Sequence, residues 1–257
     1  MSSHEWPANN YAIGSYIQAT VSLSYLHSIN PESTDKILDI GCGDGEFTTK
    51  ILDKIPKGHL IGLDRSENML ALAREKIKKY PNFSVQQGDV LSMTYQNEFD
   101  YVVSFWCLQW CTTIEVAFKK IFDALKSGGK LFLLFPTGDD PFMNMYYRVK
   151  SSNQFDSLKT FQCPVNYSQF TDLENKLQAL PFEKLDIKRV KQSIELPTLD
   201  FFRKFINGIA FYQGQLPDDE VAKINEAMVQ CFEEECKEKY KGKYVFAFTI
   251  FCVEGRK

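Results

Sequence analysis

One stretch, Ile37-Leu-Asp-Ile-Gly-Cys-Gly-Asp-Gly-Glu-Phe47, constrains this chain more than any other. Three apolar side chains (Ile37, Leu38, Ile40) stop at Gly41, Gly43 and Gly45, and helical spacing begins at Glu46. The pattern predicts a buried parallel strand, a tight glycine turn and a helix N-terminus. Glycine lacks a Cβ and tolerates φ > 0, so backbone amides in such a turn can approach a bound ligand closely. A small polar ligand is expected on it.

Similar units follow. Strands are expected at Lys36–Ile40, His59–Leu63, Phe83–Gln87, Tyr101–Phe105 and Lys130–Phe135. Helices are expected from Glu46 to about Ile55, from a Ser66 cap to near Pro81, and from beyond Trp110 to about Leu125. Ser127-Gly128-Gly129 reads as the turn into strand five. Alternating strands and helices imply right-handed crossovers and a parallel, doubly wound sheet. An apolar-periodic helix over residues 9–29, capped by Asn9 or Asn10, precedes this core. Beyond Pro136 the pattern loosens. A short helix is expected around Thr171–Ala179, strand six at Glu183–Glu195 and an apolar helix at 198–214. A charged helix at about 217–240 leads through a Gly242 turn into an antiparallel last strand, Tyr244–Val253. With no repeat, low-complexity tract or linker, the reading is one α/β domain with a mostly parallel seven-stranded sheet.

A net charge of −3 over 257 residues gives no basic field for nucleic acid or anionic membranes. There is no run of about 18 apolar residues and no signal-like start. Seven cysteines without CxxC or CxxxH spacing read as reduced thiols, with no metal site expected. A cytoplasmic protein, monomeric or homodimeric, is the expectation.

Open α/β sheets bind ligands outside the carboxyl ends of their strands, at the switch point. Asp39 to Gly45, Asp64, Asp89 and Ser104 to Trp110 sit at four such ends. Asp64 follows Gly41 by 23 residues, a spacing at which a carboxylate can accept from ribose hydroxyls. That fits NAD as well as other adenosine ligands, although the turn is GxGxG rather than GxGxxG. Asp89 adds a carboxylate suited to an adenine amino group.

Asp39-Ile-Gly-Cys-Gly-Asp-Gly, Leu63-Asp64-Arg65-Ser66, Gly88-Asp89-Val90 and Leu125-Lys-Ser-Gly-Gly, in this order, resemble the class I S-adenosylmethionine-dependent methyltransferases over roughly residues 36–136. The resemblance implies that Asp39 and the backbone of Gly41, Cys42, Gly43 and Gly45 hold the methionine end of S-adenosylmethionine. It places Asp64 at the ribose, Met69 and Val90 against the adenine and Asp89 at its amino group, with Arg65, Ser104 and Phe105 completing the site. S-adenosylhomocysteine is the implied product. The core is then about 36–136 and 183–257, and residues 1–30, 137–182 and 198–214 supply a helical lid, apolar inside through Phe201, Phe202, Phe205, Phe211 and Tyr212.

A narrower similarity, Asn10-Tyr11, Gln18 and Ser104-Phe-Trp-Cys-Leu-Gln-Trp110, links the chain to juvenile hormone acid methyltransferases. Trans-aconitate and malonyl-carrier-protein methyltransferases share the Leu-Gln-Trp portion, with a histidine more usual at Gln109. All methylate carboxylates, and the similarity implies that Gln18 and Trp110 contact the acid; Trp106 is a further candidate. Chemistry points the same way. Methylating a phenol, alcohol or ammonium requires a positioned base. Of His4, His27 and His59, only His4 is placed to reach the site. A carboxylate, with a reference pKa near 4, is already a nucleophile and needs only orientation, worth roughly 7–11 kcal/mol in favourable cases. The expected acceptor is a small, partly hydrophobic or carrier-bound carboxylic acid. Methylation at another O, N or C atom, with His4 or Tyr11 as base, and a catalytically silent binding protein are the alternatives.

Overall fold

The computed structural model describes residues 15–257. His4, Asn9, Asn10 and Tyr11 lie outside the described residues. Helix α1, Tyr16–Ser24, and a 3-10 turn, Leu26–Ser28, lead into strand β1, Lys36–Ile40. Helix α2, Glu46–Leu52, follows the glycine turn and stops short of Ile55. Next come β2, His59–Asp64, α3, Glu67–Ile77, and β3, Phe83–Gln87. Ser66 caps α3 by accepting from the Met69 N–H at 3.3 Å, as its sequence position predicts.

Strand β4 runs Phe99–Phe105, α4 Ile114–Ala124 and β5 Leu125–Pro136. Both strands start earlier than expected. Leu125 pairs with Phe99 while Lys130 pairs with Tyr101, so Ser127-Gly128-Gly129 is an irregularity inside a strand rather than a turn before one. The chain's last residue holds it there: Gly128 N–H donates to Lys257 O at 2.7 Å and Lys257 N–H to Gly129 O at 2.9 Å.

The loosely patterned region contains a regular helix, α5, Pro141–Ser151, that the sequence reading passed over. Short helices α6, Ser157–Thr160, and α7, Leu173–Leu177, lead to β6, Lys184–Glu195. Helix α8, Leu199–Asn207, is shorter than the expected 198–214. It ends at Gly208, and the following turn places Phe211 edge-on to Phe142, with centroids 5.0 Å apart at 90°. Helix α9, Asp218–Tyr240, precedes β7, Val245–Arg256.

The sheet order is β3-β2-β1-β4-β5-β7-β6, with β7 antiparallel to both neighbours. Successive strand residues enter opposite faces. Ile37, Val103, Phe132 and Leu134 join the core formed with α1, α2, α5, α8 and α9; Leu38, Val102, Leu131 and Leu133 join that formed with α4 and α7. In the first core Phe202 of α8 stacks on Phe232 of α9 at 4.0 Å. The order reverses between β1 and β4, so the crevice opens at their carboxyl ends.

Candidate functional site

The glycine turn leaves β1 through three left-handed residues, Gly41 (φ +75°), Gly43 (φ +56°) and Gly45 (φ +76°). A Cβ on Gly41 would lie 2.5 Å from Cys107 Sγ, so the turn needs glycine there for space as well as conformation. Asp64, at the end of β2, accepts from Gly43 N–H and Ser66 N–H, each at 2.9 Å. One carboxylate thereby fixes both the turn and the start of α3.

A cavity of about 400 Å³ opens beside this turn, within the range of cofactor sites. Gly41, Gly43, Asp64, Arg65, Met69, Asp89, Val90, Phe105 and Trp110 all line it, bringing together residues expected from four strand ends. Asp89 accepts from Leu91 N–H at 2.9 Å, and Arg65 Nε lies 3.5 Å from its other oxygen.

Four expected contacts are not on that wall. Ser104, 1 % exposed, donates to Ile40 O at 2.8 Å and ties β4 to β1. Cys42 is buried against Gly62, and burial pushes its thiol well above the usual range, which leaves it a poor nucleophile. Gly45 is the N-cap of α2. Asp39, 3 % exposed, accepts from Thr48 Oγ1 at 2.6 Å. Burial raises its pKa to about 7, opposed by the Thr48 bond and reinforced by the Asp64 charge.

A second cavity adjoins the first. It is walled by Ile17, Phe142, Phe205, Phe211, Phe246 and Phe248, with polar edges from Gln18, Gln109, Asp140 and Tyr167. Trp106 and Trp110 line both cavities, so a donor in one and an acceptor in the other would share these rings. Gln18 and Trp110, expected together, do meet on one chamber wall. Trp106, the further candidate, lines both cavities with its ring while its indole N–H is engaged within the fold. Its backbone is left-handed (φ +57°), and its indole N–H donates to Ser22 Oγ at 2.9 Å and Gln18 O at 3.2 Å. The anchored ring holds α1 against the loop after β4. A non-glycine residue in this conformation costs free energy and persists only where its surroundings over-determine it.

Several lining residues escaped the sequence reading. Asp140 caps α5, accepting from Met143 N–H at 3.0 Å; Asp-Pro before an apolar-periodic run is a helix-start signal that could have found it. Burial raises Asp140 to about 6 despite bonds from the Met143 and Phe142 N–H groups. Tyr167 is raised by burial and by the Asp140 charge. Gln162 and Gln215 reach the first cavity from segments distant in the chain and clasp each other: Gln162 N–H donates to Gln215 Oε1 at 3.0 Å, and Gln215 Nε2 to Gln162 O at 2.9 Å. No sequence signal pairs them. His59 Nε2 meets Ser84 Oγ at 2.8 Å, and neither it nor His27 lines either of these two cavities.

The family model described as a methyltransferase domain matches residues 37–129. A protein of Invertebrate iridescent virus 6 that is provisionally named a methyltransferase is 30% identical over 67% of this chain and 62% of its own. A malonyl-[acyl-carrier protein] O-methyltransferase of Ilyobacter polytropus is 31% identical over 69% of this chain and 66% of its own. The juvenile hormone acid O-methyltransferase of Bombyx mori is 27% identical over 68% and 66%. The chain therefore spans a little under two thirds of the length of these relatives. Among solved structures, Haemonchus contortus phosphoethanolamine N-methyltransferase 2 in complex with S-adenosyl-L-methionine superposes with a TM-score of 0.62 at 18% identity, over 96% of this chain and 56% of that one. YcgJ of Bacillus subtilis superposes with a TM-score of 0.63 at 17% identity, over 93% and 98%. These two likenesses show the fold. Among the described residues, no helix is long and apolar enough to cross a membrane and no cluster of metal-ligating side chains is present.

Proposed function

We propose, from its place among the class I S-adenosylmethionine-dependent methyltransferases, the family to which this chain belongs, that it esterifies the carboxylate of a small, partly hydrophobic or carrier-bound acid. S-adenosylmethionine supplies an electrophilic methyl group on a sulfonium. The residues around the larger cavity fit it: a glycine turn that a Cβ would fill, and carboxylates at the ends of β2 and β3. Gly41 and Gly43 would carry its methionine end, with Asp39, Cys42 and Gly45 bracing the turn from behind, Asp64 and Arg65 would hold its ribose, and Met69, Asp89, Val90, Ser104 and Phe105 would form or brace the remaining walls.

The observation that carries the carboxylate reading is the junction of the two cavities. Gln18 and Trp110 both line the chamber, Trp110 also lines the donor cavity, and no histidine among the described residues lines either one. Neutral amide and indole N–H groups orient an anion without neutralising it, and a carboxylate nucleophile has no proton to lose. Relatives named for malonyl-carrier-protein and juvenile hormone acid methylation support this reading. The test is calorimetric titration with S-adenosylmethionine, followed by labelled methyl transfer to fatty, terpenoid, dicarboxylic and carrier-bound acids. Product label released by mild alkali is the expected ester; absent donor binding, or alkali-stable label, overturns the reading.

A second reading, methylation of an amine, is favoured by Asp140. A buried carboxylate among aromatic rings attracts an ammonium ion. Transfer to amines with acids inert would select it.

A further inference from the structure

The chamber's polar groups are unevenly matched to an anion. Among the described residues no lysine, arginine or histidine lines it. Asp140 lines the chamber alone and not the donor cavity, and it is 7 % exposed. Its orientation is fixed, because it caps α5 through the Met143 N–H at 3.0 Å. Gln109, also 7 % exposed, is fixed as well: its Nε2 donates to Trp106 O at 2.7 Å. That bond leaves Oε1 as the remaining end of the amide, buried and without a partner. Asp140 is acceptor-only when ionised, and Gln109 keeps an unpartnered acceptor oxygen.

An ionised carboxylate is acceptor-only. One such group can use Gln18 and Trp110. A second would find only the Tyr167 hydroxyl as a further side-chain donor among the lining residues and would face the buried Asp140 carboxylate with no lining cation to offset it, and like charges brought together in such a setting cost several kcal/mol.

We propose that Asp140 is a specificity-determining residue that restricts the acceptor to acids bearing a single negative charge, excluding dicarboxylates and phosphorylated acids. The inference deepens, and rests on, the carboxylate reading above.

Hexanoate and hexanedioate share a six-carbon chain and differ in the second carboxylate that replaces the terminal methyl, and they serve as probes. Binding of each is measured calorimetrically with S-adenosylhomocysteine present, and methyl transfer with labelled donor, for the wild type, Asp140→Asn and Asp140→Ser. Asparagine and serine cap helices about as well as aspartate, so both variants keep α5. The wild type is expected to prefer the monoacid by about a hundredfold, and both variants to narrow this to about tenfold or less, through tighter diacid binding. An unchanged ratio in the variants, equal treatment by the wild type, or binding of neither acid overturns the assignment. If hexanoate binds selectively, the variants lose that selectivity and no acid is methylated, Asp140 keeps its role and the acceptor reading falls.

Discussion

Asp39→Asn should make the ligand-free protein more stable above neutral pH while weakening its hold on the methyl donor. Asp39 is buried at the end of β1 with one hydroxyl donor, Thr48 Oγ1, and the Asp64 charge nearby. Burial is the dominant cause that lifts its carboxyl from 3.8 to about 7. The unfolded chain releases this proton near the ordinary value and the folded chain only near 7. Between those values the folded state holds the extra proton, so stability falls as pH rises. A displacement of about three powers of ten, at 1.36 kcal/mol each, corresponds to roughly 4 kcal/mol lost by pH 8. Asparagine keeps an oxygen for Thr48 and carries no charge. Urea unfolding of both proteins at pH 5.5 and 8.5 reads the effect. Asp39→Asn should gain up to roughly 4 kcal/mol over the wild type at pH 8.5 and roughly half of that at pH 5.5. If Asp39 holds the methionine end, S-adenosylhomocysteine affinity falls at least about tenfold in the same variant. Equal stabilities at pH 8.5, or a less stable variant, would refute the reasoning.

Gly41→Ala forces a left-handed alanine whose Cβ meets Cys107 Sγ, so thermal unfolding should drop and donor titration should weaken by at least about tenfold. Trp110→Phe keeps the ring and removes the indole N–H. Acceptor kcat/KM should fall roughly tenfold to a hundredfold while donor affinity, read calorimetrically, changes less. Phe232→Ala removes the ring stacked on Phe202 and should cost about 3–5 kcal/mol in urea unfolding, because two helices of one core lose their contact.

The β1-to-β4 region was legible in the sequence because local signals agreed there. Apolar runs ended at glycine or aspartate, Ser66 preceded a periodic helix, and β1 and β3 have the bounds their sequences predict. Where β5 begins was not legible, since the bonds that fix Gly128 and Gly129 come from Lys257 at the far end of the chain. Helix α8 stops at Gly208, a local signal outweighed in the sequence by the apolar run that continues beyond it, and the packing of Phe211 on Phe142 in the following turn left no local trace. In the site, the strand-end carboxylates could be read from spacing. The anchoring of the Trp106 indole N–H could not be read, because what takes it is Ser22 on α1, 84 residues away. The Gln162–Gln215 clasp is long-range in the same sense, and Asp140 was legible but overlooked.

Trp106 and Trp110 form the party wall of two cavities. A molecule on one side restricts the rings and indole orientations that the other side presents. Such restriction is a coupling free energy, and coupling is reciprocal: the factor by which a bound acceptor changes donor affinity equals the factor by which the donor changes acceptor affinity. Acceptor affinities measured without S-adenosylhomocysteine therefore describe a different state of this wall from the one that turns over. With donor and acceptor seated as proposed, the same would hold at the end of the cycle, when methylated product and spent donor would share the two rings and the departure of one would alter the hold on the other.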